Sequence, residues 1–248
     1  MSDAKDKLII ALDVPTAGAA RELVARLRGV AGMFKIGSQL FTAAGPQLVR
    51  EIVAQGEKVF LDLKFHDIPN TVAAAGVEAA RLGVAMFNVH AGGGREMMRR
   101  VSAAVAETAA HEGLAKPIVL GVTVLTSSDA ATLAEVGVNI ALTGQVERLA
   151  RLANESGLHG VVASPQEIAL ARSVTRPDFV IVTPGVRPAG AAHDDQKRVL
   201  TPAEAIRAGA DYIVIGRPII KAADPLAAAQ AIIEEMSFVS SPPSVASN

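Results

Sequence analysis

The feature that most constrains the fold is a regular alternation of short apolar runs with longer alanine-rich segments. Eight branched-aliphatic runs of strand length lie at residues 8–13, 33–37, 58–64, 85–90, 117–124, 160–164, 179–183 and 211–215. Helical patterns fill the intervals at 17–28, 41–55, 69–81, 94–112, 129–136 with 143–156, 165–173, 201–208 and 224–236. Such alternation favours a parallel sheet covered by helices. Eight units without a linker-like break predict an α/β protein, a single (β/α)8 TIM barrel over residues 1–236. A doubly wound open sheet is the structural alternative.

The ends of the chain and of the helical segments carry simpler signals. Polar residues that favour helix N-caps precede four of the helical segments: Thr16, Ser128, Ser164 and Thr201. Residues 237–248 are rich in serine and proline, which predicts a flexible C-terminal tail.

Composition limits the classes of function. Half of the 248 residues are apolar, and the net charge of −1 provides no general attraction for nucleic acid or anionic membranes. The chain has no cysteine, which excludes disulfides, thiol nucleophiles and cysteine-ligated metals and fits a cytoplasmic protein. No apolar run approaches the roughly 18 residues of a membrane span. We therefore expect neither a nucleic-acid nor a membrane partner.

Charged residues gather where the predicted strands end, which is the side on which barrels of this class carry their active sites. Asp13 ends the first strand, and Lys35 lies on the second. Asp62 and Lys64 are two residues apart on the third strand, so their side chains share one face. The other face, which we expect to meet the helices, is apolar: Leu61, Leu63 and Phe65. Four charges are thus predicted to converge at the mouth, either as a functional site or as a structural ion-pair cluster.

Two segments near the end of the chain have the character of a phosphate site. The run GADYIVIGRPII, residues 209–220, places Gly216 and Arg217 after the eighth strand, where barrels often bind phosphate. Residues 183–202, TPGVRPAGAAHDDQKRVLTP, predict a mobile lid with Arg187 and Gln196 as phosphate contacts. The alternative for both residues is an ordinary solvated loop.

Several motifs taken together resemble a known family. They are ALDVP (11–15), FKIGSQLF (34–41), DLKFHDIPNTV (62–72), TPGVRP with DQKRVLTP (183–202) and YIVIGRPI (212–219). Together they resemble the orotidine 5′-phosphate decarboxylases of the compact bacterial type over almost the whole chain. The resemblance implies a (β/α)8 fold and a homodimer with active sites at the subunit interface. It also implies decarboxylation of a nucleotide, orotidine 5′-phosphate, to UMP in pyrimidine biosynthesis without a cofactor.

The resemblance implies a role for individual residues as well. Lys64 would donate a proton to C6 of the pyrimidine, within an alternating array of Lys35, Asp62, Lys64 and Asp67. Asp67 would come from the partner subunit. The other implied contacts are Ile68 and Thr71 from the partner, Asp13 on the ribose, Thr126 or Ser127 on the pyrimidine, and Lys35, Arg187, Gln196, Gly216 and Arg217, the last four on the phosphate.

Two other functions remain as alternatives. A metal-dependent decarboxylase or aldolase-like barrel acting on a sugar phosphate would need a further acid near Asp62, typically at the end of the second strand. Lys35 occupies that position, so no metal site is predicted. A barrel that binds a nucleotide without catalysis would gain little from four converging charges.

Overall fold

The computed structural model describes the backbone of residues 4–188 and 200–240, and the side chains of these residues as far as Ser237. Eight parallel strands, each paired with the next and the last with the first, form a closed barrel. The strands are β1 Leu8–Ala11, β2 Met33–Gly37, β3 Val59–Phe65, β4 Met86–His90, β5 Ile118–Val122, β6 Gly160–Val162, β7 Val180–Pro184 and β8 Tyr212–Ile215. The predicted (β/α)8 barrel is confirmed, and the open sheet is wrong because β8 pairs with β1.

Helices connect the strands in the predicted order. They are α1 Ala17–Leu27, α2 Ser38–Ala54, α3 Pro69–Arg81, α4 Gly94–Glu112, α5 Ala130–Glu135, α6 Leu142–Glu155, α7 Ile168–Ser173, α8 Pro202–Arg207, α9 Arg217–Ile220 and α10 Pro225–Ser240. Three 3₁₀ turns lie at Ala4–Lys7, Ala91–Gly93 and Pro165–Glu167. α9 was not predicted, and α10 continues past residue 236. The last eight residues of the predicted tail lie outside the described part of the chain.

Three of the four predicted helix caps are confirmed. The side chains of Thr16 and Thr201 accept hydrogen bonds from the first-turn amides of α1 and α8. Ser164 takes the cap position of the 3₁₀ turn that precedes α7, where its backbone amide donates to the Glu167 carboxylate (3.1 Å). Ser128 is the wrong residue: α5 begins at Ala130, so the cap position belongs to Asp129, whose carboxylate accepts from the amide of Thr132 (3.0 Å).

Two apolar clusters lie on opposite faces of the barrel wall. The larger cluster fills the space between strands and helices, and it includes Leu61 with Leu63 and Phe65 packed against it. The smaller cluster forms the floor of the barrel interior: Ile9, Ala11, Met33, Phe60, Met86, Leu120, Val182 and Val214. Since side chains alternate along a strand, the interior residues that follow Met33 and Phe60 are Lys35 and Asp62. The apolar floor therefore supports a charged layer at the carboxyl ends of the strands.

Among the helices of residues 4–188 and 200–240, none combines the length and the hydropathy needed to cross a membrane.

Candidate active site at the carboxyl ends of the strands

The predicted convergence of charges at the barrel mouth is present. Lys35 Nζ lies 3.1 Å from Asp13 Oδ1 and 3.4 Å from Asp62 Oδ2. Lys64 Nζ donates to the other oxygen of the same carboxylate, Asp62 Oδ1, at 2.6 Å. Two neighbouring strands, β2 and β3, thus contribute two ammonium groups and the carboxylate between them, while Asp13 approaches from the loop after β1. The four groups form a continuous chain of alternating charge.

The burial of the array is graded toward its open end. The side chains of Lys35 and Asp62 are 11% and 13% exposed, whereas that of Lys64 is 34% exposed. A buried carboxylate is costly unless it is paired. Burial alone would raise the pKa of Asp62, but the charges of Lys35 and Lys64 and the hydrogen bonds from Lys64 and Asn88 bring this pKa below its ordinary value. Asp62 is therefore ionised at neutral pH and holds both ammonium groups in place.

The third strand is irregular where it presents Lys64. Lys64 has φ +52°, a left-handed conformation that no other described non-glycine residue adopts. The pairing of β3 with β4 shifts register at this point, between Leu61 and Phe65. Asn88, the middle residue of β4, accepts a hydrogen bond from the Lys64 amide (2.8 Å) and donates one to Asp62 Oδ1 (2.7 Å). The distortion thus aims the ammonium of Lys64 without leaving its backbone amide unpaired.

A cavity of about 440 Å³ opens beside the charged array. Lys35, Asp62 and Lys64 form its polar wall. The rest of its lining is mostly apolar: Phe60, Val122, Val124, Leu125, Val162, Ala163, Pro184 and Val214. Thr126 and Ser127, the two candidates for a pyrimidine contact, both line the cavity. The volume and the lining suit a small ligand with a few polar groups.

Gly216 lies at the junction of the first and last strands. A Cβ atom there would come 3.3 Å from Asp13 Oδ2 and 3.3 Å from the Ala11 Cβ. The missing side chain lets the end of β8 lie close against the loop that carries Asp13. Gly37 has a similar place beside Lys35, whose Nζ would lie 3.2 Å from its Cβ. The two glycines keep the space around the Lys35–Asp13 pair open.

The residues predicted for the phosphate lie outside this cavity or outside the described structure. Arg217 is the first residue of α9, directly after Gly216. Arg187 is buried; its Nη1 donates to the Val186 carbonyl (3.0 Å), and its amide donates to the Leu200 carbonyl (3.0 Å). Gln196 falls outside the described residues. Neither arginine is among the residues that line the cavity.

Three predicted site residues are not among those that line the cavity of their own chain. Asp67 follows β3, and its carboxylate accepts from the Ile68 amide (2.6 Å) rather than from either lysine of the array. Ile68 is 66% exposed, which is unusual for a large aliphatic side chain. Thr71 is exposed on the first turn of α3. These three exposed residues lie close together in the chain, directly after the strand that carries Lys64.

Two features of the site were not predicted from the sequence. From the sequence alone, Asn88 has no assigned role; its interior parity, two residues after Met86, is the signal that could have found it. His66 and His90 form a tilted ring pair with centroids 5.4 Å apart. Burial, reinforced by the charges of His66 and Lys64, lowers the pKa of His90, so this ring is neutral at neutral pH. Among the described residues no cluster of three or more acidic or histidine side chains could hold a metal ion.

The fold and the site together define a (β/α)8-barrel protein with a lysine–carboxylate array in the position where barrel enzymes bind substrates. Residues 6–232 match the model of the orotidine 5′-phosphate decarboxylase / HUMPS family, and the chain belongs to this family.

The sequence similarity to named relatives extends over nearly the whole chain. Orotidine 5′-phosphate decarboxylase from Syntrophotalea carbinolica is 57% identical over 234 residues, which are 94% of this chain and 96% of the relative. The enzyme of the same name from Moorella thermoacetica is 57% identical over 237 residues, covering 95% and 94% of the two chains. The crystal structure of orotidine 5′-phosphate decarboxylase from Lactobacillus acidophilus superposes with a TM-score of 0.81 at 37% identity, over 92% of this chain and 98% of the other.

Proposed function

We propose that this protein is a carboxy-lyase that converts orotidine 5′-phosphate to UMP and CO2, the step that yields UMP in pyrimidine biosynthesis. One observation carries the proposal: Asp62 lies between Lys35 and Lys64, at 3.4 and 2.6 Å, on the polar wall of the cavity. Membership of the family and the names of the relatives support it.

The reaction is difficult because the electron pair that remains on C6 is not delocalised. When the bond between C6 and the carboxylate breaks, the electron pair stays on C6 in the plane of the ring, where the ring π system does not delocalise it. Stabilisation must then come from a positive charge placed beside C6 before the bond breaks. The Lys64 ammonium has this place in our proposal, since it projects from the rim of the cavity and is held by Asp62.

Lys64 also completes the reaction. Its ammonium donates one proton to the C6 carbanion, which gives the C6–H of UMP and leaves a neutral amine, and solvent then returns the proton to the amine. CO2 departs along the cavity wall. Partial exposure of Lys64 supports this role, because the amine must exchange protons with water in every turnover.

Asp62 and Lys35 prepare the site for that step. Asp62 holds the Lys64 ammonium in place through their hydrogen bond and faces the departing carboxylate. Like-charge repulsion of the substrate carboxylate is a contested contribution, so we assign the main effect to orientation and carbanion stabilisation. Lys35 balances the second oxygen of Asp62 and links it to Asp13, which we place on the ribose.

The layout of the mouth indicates where the other parts of the substrate would bind. The apolar cavity takes the pyrimidine, with Thr126 or Ser127 as its polar contact. The phosphate lies toward Gly216 and Arg217 after β8, with Arg187 and Gln196 as further contacts. Arginine suits this role because its planar fork matches the oxygens of a phosphate.

We also propose a homodimer with shared active sites. Asp67, Ile68 and Thr71 are exposed and follow the strand that carries Lys64, but they do not line the cavity of their own chain, which supports the idea that they complete the site of a second copy. Asp67 would then complete the alternating array of Lys35, Asp62, Lys64 and Asp67 that the family resemblance implies. A cytoplasmic location stays a prediction.

An ultraviolet assay of the purified chain tests the proposed activity. Loss of the orotate absorbance of orotidine 5′-phosphate, with release of one CO2 per UMP and no added cofactor, is the expected result. The same rate in the presence of a chelator is expected if no metal takes part. Absence of turnover with a correctly folded protein would refute the proposal.

A further inference from the structure

Asn88 occupies a special place in the barrel wall. Around it, Leu61 pairs with Phe87 and Phe65 pairs with Val89. A single residue of β4, Asn88, therefore stands opposite three residues of β3, 62–64. Its side chain is only 1% exposed, yet it carries an amide group that needs partners.

The amide finds both of its partners across this irregularity. Its Oδ1 accepts from the backbone amide of Lys64 (2.8 Å), and its Nδ2 donates to Asp62 Oδ1 (2.7 Å). The first bond replaces a ladder bond that the register shift removes. The second ends on the same oxygen that accepts from Lys64 Nζ (2.6 Å), so this oxygen has two donors that fix the rotation of the carboxylate.

The left-handed backbone of Lys64 needs this support. For a residue with a Cβ atom, that conformation costs about 1–2 kcal/mol and persists only where its surroundings hold it. The bond to Asn88 satisfies the Lys64 amide in this conformation. A relaxed, extended Lys64 would direct its side chain differently from the rim of the cavity.

We propose that Asn88 is a positioning residue: one buried amide fixes both the backbone from which Lys64 projects and the carboxylate that holds the Lys64 ammonium. The proposal rests on the proposed decarboxylation, since it is there that the placement of Lys64 beside C6 determines the rate. Asn88 itself does not line the cavity, so it acts through Asp62 and Lys64 and contributes little to substrate binding.

Two substitutions separate the two hydrogen bonds. Asn88→Leu keeps the branching at Cγ but has no polar side-chain atom, so it removes both bonds. Asn88→Asp keeps an acceptor for the Lys64 amide but replaces the donor to Asp62 with a carboxylate oxygen. Ser156→Ala is the matched control, because Ser156 is also a buried polar residue, and its hydroxyl bonds to the Leu152 carbonyl (2.6 Å) away from the array.

Steady-state kinetics give the first measurement. We expect kcat of Asn88→Leu to fall about ten- to a hundredfold, as for the loss of hydrogen bonds to charged groups, with KM changed less than about threefold. Ser156→Ala should lose some thermal stability and keep its kcat. A kcat within about twofold of wild type in folded Asn88→Leu and Asn88→Asp would overturn the proposal, as would an equal loss in Ser156→Ala.

The pH profile distinguishes positioning from general destabilisation. The groups that face Asp62 are Lys35 from β2, Lys64 on β3, and Asn88 and His90 from β4, while Asp13 acts through Lys35. In Asn88→Asp two carboxylates meet and bind a shared proton more readily. The acidic limb of the pH profile of kcat should therefore move to higher pH in Asn88→Asp and stay in place in Ser156→Ala. An unshifted limb would contradict the contact with Asp62.

Amide hydrogen exchange at Lys64 tests the backbone contact without any reference to turnover. We expect fast exchange in Asn88→Leu and slow exchange in wild type and Asn88→Asp. If wild type fails to decarboxylate orotidine 5′-phosphate but shows this pattern, the proposed function fails and the contact stands. If exchange at Lys64 is the same in all three proteins, the role of Asn88 is refuted.

Discussion

Replacing Lys64 by alanine removes the group on which the proposed chemistry depends most. The ammonium is held 2.6 Å from Asp62 Oδ1 at the rim of the cavity. At a contact distance of about 3 Å and an effective dielectric constant of about 20, a unit positive charge stabilises a carbanion by about 5.5 kcal/mol. That energy corresponds to about four orders of magnitude in kcat. Loss of the proton donor adds to this effect, so turnover of Lys64→Ala should be undetectable in an ordinary assay.

The fold should survive the substitution. In Lys64→Ala, Asp62 keeps Lys35 at 3.4 Å and the Asn88 amide at 2.7 Å, so the buried carboxylate remains paired. We expect a decrease of about 1 kcal/mol in the free energy of unfolding, a fall in Tm of about 2–4 °C for a chain of this size. Binding of UMP, which has no carboxylate at C6, should change little.

The assay compares Lys64→Ala with Lys58→Ala. Lys58 directly precedes β3 at the opposite end of the barrel and is exposed, so its removal controls for the loss of a lysine from the same strand region. Release of CO2 is measured for both variants at saturating orotidine 5′-phosphate. Lys58→Ala should match wild type. A folded Lys64→Ala that retains more than about a tenth of the wild-type kcat would refute Lys64 as the group that stabilises and protonates C6.

Three further predictions concern the phosphate, the partner subunit and pH. Arg217→Ala should lower kcat/KM for orotidine 5′-phosphate by about two to three orders of magnitude, while turnover of the nucleoside orotidine, which lacks the phosphate, stays equal to that of wild type; a loss below tenfold contradicts the assignment. Mixing inactive Lys64→Ala with inactive Asp67→Ala should restore up to roughly a quarter of the wild-type activity if subunits exchange, because half of the sites in a mixed dimer are intact; no recovery in mixtures with proven exchange contradicts shared sites. Burial, with the charges of Lys116 and Arg176, lowers the pKa of His159 to about 4, so the unfolded chain binds a proton that the folded protein does not as pH falls from 6.5 to 4. The free energy of unfolding should therefore decrease as the pH falls across that range. We expect a decrease of only about 2 kcal/mol, because water reaches part of the ring and screens its charge. His159→Gln should flatten the dependence of Tm on pH, and an unchanged slope would exclude His159 as its source.

The periodicity of the chain was sufficient to predict the barrel. Helices α3 and α4 have the predicted bounds, and the strands differ from their predicted bounds by at most two residues at either end. The alternation of side chains along a strand was also sufficient to place Asp62 and Lys64 on the interior face. Both predictions depend only on local spacing, which a single sequence displays directly.

Features that depend on two strands at once were not predictable. The left-handed backbone of Lys64 arises where β3 and β4 lose their register, and nothing in DLKFHD alone marks it. The role of Asn88 needs the same information, because its partners lie 24 and 26 positions earlier in the chain. Thr126 and Ser127 remain equivalent because both line the cavity. Ser128 was chosen over Asp129 as a cap because both residue types favour that position, and the choice depends on where the helix begins.

Exchange of the C6 hydrogen of UMP in heavy water tests the central claim most directly. If Lys64 stabilises and protonates a carbanion at C6, the same lysine must catalyse removal of that hydrogen in the reverse direction, and its proton exchanges with solvent. Proton nuclear magnetic resonance should show wild type replacing the C6 hydrogen of UMP with deuterium, while Lys64→Ala under saturating UMP shows no exchange above background. Equal exchange rates for the two proteins would contradict the account.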